Sequence, residues 1–178
     1  PLANEWEMHL RIKLSESTFF SLIEPYYAFI KTTFLSAPDQ RRLLDLTPMN
    51  IMAMSDGSHK AFDLEWQSDF SLTPEFIFFR GIFYFLQSRR RLIEPMYRGN
   101  PELTIGDAIS RCFEHIGLHK QLDLTSFAQL EESLQDIVHL VRLGPSTEYV
   151  LQQRIYPDKQ EARLYWSEND SNFRPDRY

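Results

Sequence analysis

A single cysteine, Cys112, among 178 residues excludes an intramolecular disulfide framework and a thiolate zinc cluster. It also matches a reducing compartment, so a cytoplasmic setting is expected. Glycine is scarce and scattered: Gly57, Gly81, Gly99, Gly106, Gly117 and Gly144 build no G-x-G-x-x-G, so the chain carries no glycine-rich loop to cover a phosphate. Long apolar runs are missing too. The longest, FIFFRGIFYFL from Phe76 to Leu86, is interrupted by Arg80 and is too short to cross a bilayer, so it reads as a buried core helix. Positive charge is in short supply, with 19 Lys and Arg against 25 Asp and Glu and a net charge of −6. That balance excludes broad nucleic-acid binding, which needs a basic surface to displace counterions. The local exception is Arg89-Arg90-Arg91, read as a solvated basic cluster in a last helical turn, with a phosphate or lipid contact as the alternative.

What is abundant is aromatic. Fourteen Phe, eight Tyr and three Trp, with 43% hydrophobic residues, supply a sizeable core for one domain and rule out a disordered chain. Cys112 shares an apolar helix face with Ile109 and Ile116, the setting of an inert buried thiol rather than a nucleophile. Of the five histidines only His115 and His119 are four apart. Gly117 between them favours a left-handed helix cap over a metal pair. The chain begins at Pro1 without a targeting segment and reads as a fragment.

Along the chain, EWEMHLRIKL alternates loosely and predicts a strand, with Lys13 near its end. Ser15 or Ser17 caps a following helix through FFSLIEPYYAFIKTTFL, which Pro25 should kink or restart. SAPDQ reads as a loop. Thr73 as N-cap and Pro74 at the first position open a helix to about Arg91, apolar on nearly every side and therefore central. Thr104 and Asp107 predict a capping box on a second helix ending near Gly117. A third runs from about Thr125 to Leu143, with Phe127, Leu130, Leu134, Ile137, Val138 and Val141 on one stripe and Gly144-Pro145 as its stop. Beyond it, EYVLQQRIYP and EARLYW alternate like two strands around Pro157-Asp158-Lys159, and SENDSNFRPDRY reads as a polar connection. The expected organisation is a mainly helical α+β domain over 1–145 with a central hairpin, then a β hairpin and connection over 146–178.

The chemistry-bearing residues stand in DLTPMNIMAMSDGSHKAFDLEW, where Asp45, Asn50 and Asp63 are five and thirteen positions apart. Asp45 to Asn50 would close a compact loop that points two polar side chains into one pocket. NIMAMS, the turn Asp56-Gly57 and HKAFDLEW would form a hairpin that returns Asp63 to the same place. Three oxygen-bearing side chains would then converge as hard cations prefer, with Glu65 as a possible extension.

This run resembles a kinase catalytic loop: DLTPMN is similar to the D-L-x-P-x-N loop of protein kinases, and FDLEW to the acidic metal-binding run of aminoglycoside-phosphotransferase-like enzymes. The resemblance implies Asp45 as the base taking a substrate hydroxyl proton, with Asn50 and Asp63 as Mg²⁺ ligands and Asn50, Asp63 and Glu65 facing ATP. It also implies a truncated kinase-like large lobe. Two departures stand out. Leu43 takes the place of the family's His two positions before the Asp, and the thirty or so residues between Lys13 and Asp45 hold one or two helices, not a small lobe. Lys13 with Glu24 as its partner is the alternative to an ordinary exposed lysine.

The longer stretch through FDLEWQSDFSLTPEFIFFRGIFYFL resembles a segment of bacterial multidomain proteins of surface-polysaccharide synthesis. There it follows a methyltransferase module and precedes sugar-related or glycosyltransferase modules. The resemblance implies neighbouring domains of the same chain as partners, S-adenosylmethionine in the parent chain, and glycan or sugar nucleotide nearby. Three functions are open on these residues: a non-catalytic kinase-like connecting module, a Mg-ATP phosphotransferase acting on a sugar or glycan hydroxyl, and a helical interaction domain. In the last, Asp45 and Asn50 cap turns and Asp63 pairs with Arg41 or Arg42. Trp66 and Trp166, in strand-like sequence, are core candidates before they are sugar platforms.

Overall fold

The computed structural model of the chain describes residues 1–64, 67–138 and 145–155. It is mainly helical with one small antiparallel sheet. Helices α1 (Leu2–Ile12) and α2 (Glu16–Ser36) lead through 3₁₀ turns at Gln40–Leu43 and Pro48–Asn50 into strands β1 (Ile51–Ala53) and β2 (His59–Ala61). Then follow α3 (Pro74–Ser88), α4 (Arg90–Ile93), a 3₁₀ turn at Glu94–Tyr97, α5 (Ile105–His115), α6 (Leu124–Val138) and α7 (Thr147–Gln152).

The centre is α3, as its all-round apolarity requires. Phe76, Ile77, Phe78, Phe79, Ile82, Phe83, Phe85 and Leu86 are all buried on it, and α2, α5 and α6 pack around it. Thr73 accepts from the amide of Phe76 at 3.1 Å and Pro74 opens the helix, the start expected from those two residue types. Trp6 of α1 closes one end of the core, edge-on to Phe85 at 5.1 Å and to Tyr26 at 5.4 Å between ring centroids.

Helix α1 replaces the expected strand. Leu2, Trp6 and Leu10 are buried at a four-residue spacing, while Met8 and Ile12, each two positions beyond a buried residue, are exposed. An i, i+2, i+4 alternation and an i, i+4 helical stripe share half their positions, so only the burial separates them. Ser15 caps α2 by accepting from the amide of Thr18 at 3.1 Å, and the helix runs on through Pro25 without a restart. Phe19, Ile23, Tyr26, Ile30 and Phe34, buried on both sides of the proline, outweigh the backbone bond it removes.

The hairpin forms as its turn residues dictate. Ile51 pairs with Ala61 and Ala53 with His59, and Gly57 takes the left-handed φ of +81° that the turn needs. The capping box at Thr104 and Asp107 is complete, and Gly117, at φ +76°, ends α5.

Past Pro145 the expected first strand is instead a helix. Ser146 caps α7, accepting from the amide of Tyr149 at 3.0 Å, and Thr147, Val150 and Leu151 turn inward with helical spacing. Extended pairing begins only afterwards, where Ile105 N–H bonds Gln153 O at 2.9 Å and Ile155 N–H bonds Leu103 O at 2.8 Å. The core continues to Ile155, which is fully buried. EARLYW, the Pro157 turn, the closing connection, the last residues of the third expected helix, 139–143, and Gly144 of its stop lie outside the described residues, as do Glu65, Trp66 and Trp166. Among the described residues no helix is long and apolar enough to cross a membrane.

Candidate functional site

The 44–50 segment folds as a tight loop because apolar residues pin it from below. Leu43, Leu44, Leu46 and Pro48 are buried, and the backbone closes with Thr47 N–H on Asp45 O at 2.7 Å and Asn50 N–H on Thr47 O at 2.9 Å. Tyr26 donates its hydroxyl proton to Leu46 O at 2.9 Å from the core side, and burial raises the pKa of that phenol well above its ordinary value.

Asp45 and Asn50 meet through the Asp45 backbone carbonyl, not through two side chains aimed into one pocket. The Asn50 side-chain N–H donates to Asp45 O at 3.2 Å, which leaves Asn50 Oδ1 as the acceptor of that amide. Phe62 N–H bonds Asn50 O at 3.0 Å, so the hairpin returns the chain to the loop and Asp63 follows at once. Asp63 holds a left-handed φ of +56°, a conformation aspartate tolerates better than most residues, and it is exposed.

The carboxylate of Asp45 points at Arg80. Arg80 Nη1 donates to Asp45 Oδ1 and to Leu44 O, each at 2.9 Å, while its Nε donates to Glu131 Oε2 of α6 at 2.8 Å. The three side chains are 11%, 13% and 0% exposed for Arg80, Asp45 and Glu131. Tyr84 donates to Glu131 Oε1 and receives a bond from the Gln135 amide, which itself donates to Glu131 Oε1 at 2.9 Å. The guanidinium also lies over the Tyr84 ring, 5.2 Å from its centroid. Burial opposes the Arg80 charge, but the facing Glu131 carboxylate, then Tyr84 and Asp45, hold its proton more firmly than water does. Burial first, and then Glu131, push the Tyr84 phenol up as well.

Sequence reasoning placed Asp45 and Asn50 together and missed the cation between them and α6. A signal was present. A single charge inside an otherwise apolar helix needs a buried partner, and Arg80 is that charge.

The ion pair with Arg80 sets Asp45 apart from the free base that the kinase resemblance implies. A fixed guanidinium neutralises the carboxylate meant to act as base, and a second cation beside it would be repelled. Among the described residues no group of three or more His, Cys, Asp or Glu could hold a metal ion. Asp45, Asn50 and Asp63 also do not line the shallow groove of about 550 Å³ along α1, whose walls are Asn4, Glu7, Met8, Arg11 and Ile12.

The remaining candidates resolve into packing. His115 meets Glu24 at 2.7 Å and stacks on Phe20 with ring centroids 4.4 Å apart, so Glu24 is engaged by α5 rather than by Lys13, which caps α1 in the open. His119 is exposed at the end of that turn. Arg41 pairs with Asp39 at 3.0 Å. The arginine cluster divides: Arg89 pairs with Glu7 at 2.7 Å, and Arg90 is buried rather than solvated, donating to Gln153 Oε1 at 2.9 Å and to the carbonyls of Arg154 and Ile155. The desolvated guanidinium serves as a carbonyl clamp on the chain that follows α7. No protein-family model, curated protein or solved structure matches the chain.

Proposed function

We propose that the chain is a non-catalytic kinase-like connecting or interaction module of a cytoplasmic bacterial surface-polysaccharide transferase. Its partners are neighbouring domains of the same protein, which carry the S-adenosylmethionine and sugar-nucleotide chemistry. The observation that supports this reading is the 2.9 Å ion pair between Asp45 and Arg80. The residue in the place of a catalytic base holds the fold together, and the sequence has no loop to cover a nucleotide. Calorimetric titration of the protein with Mg²⁺ and ATP tests it, with Asp63→Ala as control. The expected result is an intact fold with no saturable binding. Saturable binding that disappears in Asp63→Ala would overturn it.

The competing reading is a Mg-ATP phosphotransferase acting on a sugar or glycan hydroxyl, with Asp45 as base and Asn50 and Asp63 as metal ligands. The Phe62 N–H to Asn50 O bond favours it, because that bond brings Asp63 back to the loop. It requires Asp45 to be released from Arg80.

A further inference from the structure

We infer that Arg80 is a clasp that couples the 44–50 loop to α6, so that the loop opens when α6 lifts. Arg80 stands in the middle of α3 and reaches both ways, to Leu44 O and Asp45 on one side and to Glu131 on the other. These are three separate parts of the chain joined at one guanidinium. Glu131 is fully buried and is tied to α3 a second time through Tyr84.

When α6 lifts, Glu131 leaves with it. The Arg80 cation then loses one of its two carboxylates while its burial penalty remains, and the flexible stem carries the head toward entering water. That movement breaks both bonds to the loop. The reverse also holds, since a loop that releases Arg80 weakens the seat of Glu131. A neighbouring domain that grips α6 therefore decides whether Asp45 is held or released. This last step rests on the connecting-module reading; the coupling itself does not.

Native-state hydrogen exchange tests the coupling. The reporters are the bonded amides of Leu46, Thr47 and Asn50 in the loop and those of α6. Gln129→Gly with Ser133→Gly weakens α6 at two exposed positions outside the clasp. Together the two glycines should speed α6 exchange about fivefold. The loop amides should accelerate by the same factor. Arg80→Met with Glu131→Leu and Asp45→Asn removes the clasp without leaving one charge buried alone, and in that background the glycines should still speed α6 but leave the loop unchanged.

Loop exchange that ignores the glycines in the otherwise wild-type protein would overturn the coupling. So would acceleration of the loop that persists without the clasp, because it would mean that both regions simply follow global unfolding. Should the clasp-less protein fail to fold, Asp45→Ala cuts the charged bond on the loop side only. Loop acceleration must then fall below that of α6; equal factors would sink the proposal.

Discussion

Gly81 occupies a position where no side chain fits. A Cβ there would lie 1.9 Å from the Tyr26 hydroxyl oxygen and 2.8 Å from its ring carbon, and the Tyr26 ring is held from behind by its bond to Leu46 O. Alanine in a helix interior ordinarily gains about 1 kcal/mol over glycine. At this site overpacking reverses the sign, and Gly81→Ala should destabilise by roughly 1–3 kcal/mol, read from urea denaturation. In a Tyr26→Phe background the penalty of Gly81→Ala should shrink without vanishing, because the ring carbon is still close. A neutral Gly81→Ala would mean that α2 and α3 are not packed this tightly. The residue scale is also where the sequence was hardest to read. Arg80 was visible as a lone charge, but Asp45 and Glu131 lie 35 and 51 positions away in the chain, and nothing local joins them.

Helix α1 shows the same limit at the scale of elements. Its amphipathic stripe is short, and an ion pair adds to the Trp6–Phe85 contact at the end of α3: Glu7 accepts from Arg89 at 2.7 Å and, within α1, from Arg11 at 2.7 Å. The Arg11 hydrogen bond, then Arg89, hold the Glu7 carboxyl below its ordinary range against the opposing effect of burial. A carboxyl depressed in the folded state contributes stability that is present above its unfolded pKa, about 4.3, and lost as pH falls through the folded value. Glu7→Gln should therefore cost about 0.5–1 kcal/mol at pH 7, kept small by solvent screening, and the difference from wild type should close as pH drops below about 4. Denaturation midpoints of the two proteins across pH 2–7 check this; a gap that widens in acid would refute the assignment. The elements with end signals were legible. Ser15, Thr73 and the Thr104 box mark starts, and Gly117 marks a stop, because those side chains act within one turn. Helix α1, which has no side-chain cap, and the segment of α7, whose Ser146 cap was overlooked, were misread because their alternation is common to two periods.

For the whole molecule, the thiol of Cys112 is a probe of how far the core stays closed. Cys112 is fully buried on α5, and burial first, then the nearby Glu16 carboxylate, push its thiol well above the ordinary range. Reaction with a thiol reagent in native buffer should follow global opening and become rapid only past the denaturation midpoint. Immediate stoichiometric reaction in native buffer would show that α5 does not seal the core. Among the described residues the exposed large apolar side chains are Met8, Ile12, Leu14, Leu35, Met52, Met54 and Tyr149, and Met8 and Ile12 stand one turn apart on α1.

The sequence by itself determined the character of the protein: one aromatic core around α3, helices dominating, a hairpin at Asp56-Gly57, and the meeting of Asp45 with Asn50. Each follows from interactions within a few residues or from composition, and such signals survive without knowledge of distant neighbours. Only the tertiary structure decided what the meeting of Asp45 and Asn50 amounts to. Arg80 and Glu131 reach Asp45 across the packing of α3 against α6, and long-range pairing of buried charge is set by three-dimensional proximity, which no local pattern encodes.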